Sequence, residues 1–146
     1  MSRRPAKPAD RMASGTELIR QWLDASPFVA HLGISVDKLD PDLAVLTLPF
    51  RPEHVTIADI VHGGALSALI DTAATAAAWA GAEASGEIRG TTVGLTVSFV
   101  GPARSQDVTA TARVSRRGRT LVFIDVEGTA ADGTLVAKAL VTYKLG

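Results

Sequence analysis

Apolar and polar positions alternate with two different periods along this chain, first helical and then strand-like. From Ala65 to Ala80 every residue is apolar except Ser67, Asp71, Thr72 and Thr75. A helix with so little polar surface has no broad solvated face and is expected to be buried nearly all round. Upstream, Leu18, Ile19, Trp22 and Leu23 recur at helical spacing until Pro27, which predicts a short amphipathic helix. Trp22 and the nearby Phe28 read as packing residues rather than ligand contacts. Ile34 to Leu39 and Leu43 to Leu48 read as strands joined by the turn-forming Asp40-Pro41-Asp42. Arg51 to Val61 reads as an irregular loop that delivers the chain to the long helix.

After a loop from Ala82 to Gly90 the period changes to two. Val93, Leu95, Val97 and Phe99 alternate with Thr92, Gly94, Thr96 and Ser98, predicting a strand with one apolar and one small polar face. Val108, Ala110, Ala112 and Val114 repeat the alternation. Leu121 to Val126 and Leu135 to Tyr143 supply two more strands through the hairpin signal Asp132-Gly133, and Arg116-Arg117-Gly118 makes the preceding turn. Two strands, one long helix and four strands joined by tight turns predict an α+β domain, a curved antiparallel sheet wrapped around one central helix. Val122, Ile124 and Val126 are expected on the second face of that sheet, where they would favour oligomerisation.

One acid in an apolar helix needs an explanation, because an unpaired buried charge is expensive. Gly63, Ser67, Asp71 and Thr75 recur every four residues and form one row along the helix. Two readings stay open: Asp71 is satisfied by the Ser67 and Thr75 hydroxyls, or it performs chemistry. His62-Gly63-Gly64 stands at the helix start, where unpaired N–H groups meet the positive end of the macrodipole. The glycines either permit a tight entry into the helix or let a ligand carbonyl approach the backbone. Gly63 and Asp71 are eight residues apart, about 12 Å along a helix. One helix cannot bring both to one reacting atom, whereas two antiparallel copies can, which predicts a twofold dimer with two shared sites.

Composition narrows the alternatives. The chain has 146 residues, with 15 basic and 15 acidic side chains and a formal net charge of zero, so it suits one domain without a large nucleic-acid surface. Arg3, Arg4, Lys7 and Arg11 lie among Pro, Ala and Ser, which reads as a disordered tail over residues 1–14 ahead of a domain over 15–146. The apolar run from Ala73 to Ala82 is too short to cross a membrane. There is no cysteine, which excludes a thiol nucleophile and suits the cytoplasm. His31, His54 and His62 have no closely spaced second ligand, so no metal is expected, and no nucleophile elbow, phosphate loop or dinucleotide fingerprint is present.

From Phe28 to the C-terminus the chain resembles the PaaI-like hot-dog-fold acyl-CoA thioesterases. The resemblance rests on Leu32-Gly33-Ile34, Arg51-Pro52-Glu53-His54, Val61-His62-Gly63-Gly64-Ala65, Asp71, Val97-Ser98-Phe99 and Pro102-Ala103. It implies hydrolysis of an acyl-CoA thioester without a cofactor, by a homodimer or a tetramer of two dimers. The implied roles give Gly63 the oxyanion, His62 the orientation of the thioester, and Asp71 of the partner subunit the place of base or nucleophile. Thr75 and Thr92 fall where related enzymes carry small hydroxyl residues. Many members have Asn or Gln seven residues before Gly63, where this chain has Thr56, whose hydroxyl has a shorter reach. Gly64 allows close approach of substrate, and Arg104 and the turn of Arg116, Arg117 and Arg119 are candidate partners for CoA phosphates, a solvated hairpin tip being the other reading of the turn. The Ala-lined helix with Trp79 near its end suits an aryl or medium-chain acyl group. Two other readings of the same fold are a non-catalytic acyl-CoA binding module and a dehydratase or hydratase. The His-Phe-Pro-type segment expected of the latter is missing.

Overall fold

Ser14 and Glu17 exchange side-chain-to-backbone hydrogen bonds, a capping box that starts helix α1 (Gly15–Ala25). Ser14 therefore belongs to the folded domain rather than to the tail. The computed structural model describes residues 14–84 and 89–146. The rest of the basic tail and part of the Ala82–Gly90 loop lie outside the described residues. α1 buries Gly15, Ile19 and Leu23 and leaves Trp22 42% exposed, so that indole is not the packing residue its spacing predicts.

Pro27 does more than end α1. Its fixed φ suits the first position of a second helix, α2 (Pro27–Leu32), which Ser26 caps. Gly33 closes α2 at φ 72°, a left-handed conformation natural to glycine. The Arg51 guanidinium lies over Gly33 and donates to the His31 carbonyl at 3.2 Å.

Strands β1 (Ser35–Asp40) and β2 (Leu43–Leu48) form the predicted hairpin. The segment expected to be irregular holds a 3-10 turn (Pro52–His54) and a small hairpin, β3 (Val55–Ile57) and β4 (Ile60–Val61). Helix α3 (Gly63–Trp79) follows, then β5 (Gly90–Phe99), β6 (Val108–Arg117), β7 (Leu121–Ala130) and β8 (Leu135–Leu145). The strands order as β1-β2-β6-β7-β8-β5, every pair antiparallel. α3 touches all six, so the sheet curves around it.

Burial along α3 is uneven. Ala73 to Ala80 is buried throughout, but Gly64, Ala65, Ala68, Asp71 and Thr72 remain partly open, so the first half keeps an uncovered stripe. Val122, Ile124 and Val126 face α3 and are essentially inaccessible, contrary to their expected place on the outer face. Leu121, Phe123 and Leu140 stand on that outer face instead, since each alternates with a buried neighbour.

The two sheet edges differ. β1 is bulged at Asp37 and carries a Lys38–Asp40 ion pair, devices that discourage pairing with another strand. β5 is ten residues long and leaves Val93, Leu95 and Phe99 exposed. A bulge at Val93 shifts its alternation: Thr92 pairs with Tyr143 and Leu95 with Val141, so Thr92 shares the helix-facing side with Leu95, Val97 and Phe99.

Candidate active site

Helix α3 starts at a glycine because His62 caps it. His62 has extended backbone angles, and its Nδ1 accepts the Gly64 N–H at 2.7 Å. That bond leaves the ring proton of neutral His62 on Nε2, a donor facing outward. His62 N–H donates to the His54 carbonyl at 2.7 Å, and the His62 carbonyl accepts the Leu66 N–H. The intervening Gly63 N–H donates to no other described residue. It is a fixed, unpaired donor at the positive end of α3. The missing side chain matters here, since a Cβ on Gly63 would stand 3.1 Å from the Phe99 ring and one on Gly64 2.9 Å from His62 Nδ1.

Asp71 lies two turns along α3 and is partly buried. Its partner is neither Ser67 nor Thr75. Ser67 donates to the Gly63 carbonyl at 2.8 Å, while Thr92 on β5 donates to Asp71 Oδ1 at 2.6 Å. Thr75, one turn further on, is 8% exposed. Behind Thr92, the Tyr143 hydroxyl accepts the Trp79 indole N–H at 3.0 Å. Burial pushes the Tyr143 phenol above its ordinary value and the charge of Asp71 adds to the rise, while the Trp79 hydrogen bond acts against it.

Two grooves flank the start of α3. One, of about 450 Å³, is mainly apolar and is lined by Gly63, Leu66, Phe99 and Thr56. The other, of about 580 Å³, is mixed and holds His62, Gly64, His54, Arg51 and Phe28. Phe28 is 59% exposed, so it lines a groove instead of packing in the core. The structure thus brings Gly63 and Thr56 to one groove, His62 and Gly64 to the other, and pairs Asp71 with Thr92.

The arginines separate by what they touch. Arg104 is ion-paired at 2.9 Å with Asp59, whose carboxyl is held below its ordinary value chiefly by that guanidinium. Ser105 binds the same carboxylate, so these contacts brace the β3–β4 hairpin that carries Thr56. Arg117 donates to Asp42 through two nitrogens and to the Ala78 carbonyl through a third at 2.8 Å. Its guanidinium closes the C-terminal end of α3 and is committed to structure. Arg116 and Arg119 are exposed beside Leu121 and Phe123 in a shallow depression of about 660 Å³.

Phe99 and His54, which both line the grooves, belong to the Val97-Ser98-Phe99 and Arg51-Pro52-Glu53-His54 segments of the resemblance, but nothing in their spacing gives either a role or marks the His54 ring as buried. Among the described residues no cluster of acidic, His or Cys side chains is suited to a metal, and no helix is long and apolar enough to cross a membrane.

The profile of the Thioesterase superfamily matches residues 58–137, more than half of the chain and the whole stretch that carries Gly63, Asp71 and Thr92. The chain belongs to that superfamily. This thioesterase is 29% identical over 133 residues to human acyl-coenzyme A thioesterase 13, covering 89% of its own length and 93% of the human protein. A thioesterase family protein from Silicibacter pomeroyi superposes with a TM-score of 0.82 at 26% identity, over 91% of this chain and all of the other. The PaaI protein of Escherichia coli shares the fold, with a TM-score of 0.79 at 22% identity over 90% and 93% of the two chains. The hot-dog architecture and the thioesterase family are accordingly those the sequence resemblance implied.

Proposed function

We propose that this thioesterase hydrolyses acyl-CoA thioesters at sites shared between two subunits. The observation that carries the reading is the separation on α3 of an unpaired Gly63 N–H from a Thr92-bonded Asp71, about 12 Å apart at ~1.5 Å per residue. Both face uncovered surface next to β5, among the described residues the one long, unprotected, apolar strand edge. Pairing β5 with its copy covers Val93 and Leu95 and sets the two α3 helices side by side and antiparallel. Gly63 of one subunit then meets Asp71 of the partner subunit.

In the proposed reaction the thioester carbonyl points at the Gly63 N–H, with the His62 Nε2–H nearby to orient it. Asp71 of the partner subunit takes a proton from water, and the water oxygen attacks the carbonyl carbon. The oxyanion formed is held by Gly63. Its collapse breaks the C–S bond, releases CoA as thiolate and leaves the carboxylic acid, and the proton on Asp71 passes to solvent or to the leaving sulfur. Thr92 keeps the carboxylate oriented from behind. Thr56 lines the groove that also holds Gly63, which supports a place for its hydroxyl beside the water or the thioester. The apolar lining of that groove supports an aryl or medium-chain acyl group, and the exposed Arg116 and Arg119 support contact with CoA phosphates. Human acyl-coenzyme A thioesterase 13, by its name, acts on the same class of ester.

Thiol release from aryl-, short- and medium-chain acyl-CoAs tests the reading, with Asp71→Asn beside the parent. The expected result is turnover by the parent and a loss of about 100-fold or more in the variant, the range of a lost general base. Equal rates in the two proteins would overturn it.

A further inference from the structure

We infer that His54 is a positioning residue for the carbonyl site, acting through the backbone rather than on substrate. The inference rests on the reading of the α3 start as the oxyanion donor. His54 is a buried titratable side chain, 5% exposed, that the proposed reaction does not use. Its Nδ1 lies 3.0 Å from the Pro49 carbonyl, which can only accept, so Nδ1 carries the ring proton and donates. The His54 carbonyl in turn accepts the His62 N–H at 2.7 Å, and His62 Nδ1 accepts the Gly64 N–H at 2.7 Å.

Three consecutive hydrogen bonds thus run from the Pro49 carbonyl to the residue after Gly63. The Gly63 N–H lies between two tethered residues and owes its direction to both. The far end is anchored as well: Phe50 N–H donates to Asp107 at 2.7 Å, and His54 N–H donates to the Arg51 carbonyl at 2.9 Å. An oxyanion donor is effective only when it is held in place before the charge develops, and a displacement of about 1 Å costs on the order of 100-fold in rate. The buried imidazole supplies that rigidity to a loop whose own elements are only two or three residues long.

A competing role exists, because His54 also lines the mixed groove beside His62, where a direct hydrogen bond to a ligand would use the nitrogen left free by Pro49. Three variants separate the roles. His54→Asn keeps an N–H donor near the Nδ1 position, His54→Gln reaches instead toward Nε2, and His54→Leu removes both. The expected outcome is a kcat within about 3-fold of the parent for Asn and about 10- to 100-fold lower for Leu, with KM nearly constant in both. Rescue by Gln with loss in Asn, a rise in KM at constant kcat, or parental kcat in Leu would each overturn the inference. Should the Leu variant not fold, the comparison of Asn with Gln decides alone. Gly63→Pro, which removes the amide donor itself, run in parallel keeps the two claims apart. Full activity there removes the carbonyl-site reading itself, whereas a flat His54 series beside an inactive Gly63→Pro removes only the role of His54.

Discussion

Thr92 donates a 2.6 Å hydrogen bond to Asp71, tying the edge strand β5 to the only acid of α3. A hydrogen bond to a charged group contributes about 1.5–3 kcal/mol, and this one also selects a carboxylate rotamer. Thr92→Val keeps the shape and removes the donor. We expect it to fold normally and to lower kcat by about 10-fold or more, with Thr92→Ser restoring most of the loss. Steady-state kinetics on the three proteins check this; a Val variant as fast as the parent would show that the bond does nothing for the reaction.

Arg117 makes the opposite case, a candidate ligand residue that the fold has already used. Its contacts with Asp42 and the Ala78 carbonyl close the C-terminal end of α3. Arg117→Ala should lower unfolding stability by about 1–3 kcal/mol, the cost of unpaired groups at a partly buried site, while KM changes little. Arg116→Glu and Arg119→Glu should do the reverse, raising KM for acyl-CoA and leaving the urea midpoint nearly fixed. A higher KM in the Ala variant without loss of stability would return Arg117 to the binding surface.

The long helix, the hairpin pairs and the row through Asp71 were legible because each obeys a single local period. β5 was legible only in part. A bulge at Val93 moves Thr92 onto the helix side, and a shift of register leaves no trace in alternation alone. Alternation alone does not tell which face of β7 carries Val122, Ile124 and Val126 inward, because both faces are partly apolar and only the position of α3 decides between them. α2 was hidden by Pro27, which ends one helix and begins another equally well. The commitment of Arg117 to Asp42 spans 75 residues, beyond the reach of any local pattern.

Tyr143 is expected to make stability fall at alkaline pH. Burial raises its phenol above its ordinary value in the folded state, with Asp71 adding to the rise. The neutral form is therefore favoured by folding, so this contribution is complete below the unfolded value of about 10 and is lost as pH rises through the folded value. Urea midpoints should decline above about pH 10, and Tyr143→Phe should flatten that decline. The same variant should cost about 1 kcal/mol at neutral pH, because the Trp79 N–H loses its acceptor. An alkaline decline unchanged in the Phe variant would assign the effect to other groups.

The proposed sharing of each site between two subunits is tested most directly by mixing two variants, each expected to be inactive alone. Asp71→Asn removes the acid, and Gly63→Pro removes the amide donor at a first helical position whose backbone suits proline, preceded by a His62 already in extended conformation, with the Phe99 ring, 3.1 Å from the added Cβ, giving way to it. With the two unfolded together in equal amounts and refolded, the account expects half of the dimers to be mixed and each of these to rebuild one intact site from Gly63 of one chain and Asp71 of the other. The account predicts recovery of about one quarter of the parental thioesterase activity. Mixed dimers that form, as verified by mass, yet hydrolyse no thioester would contradict it.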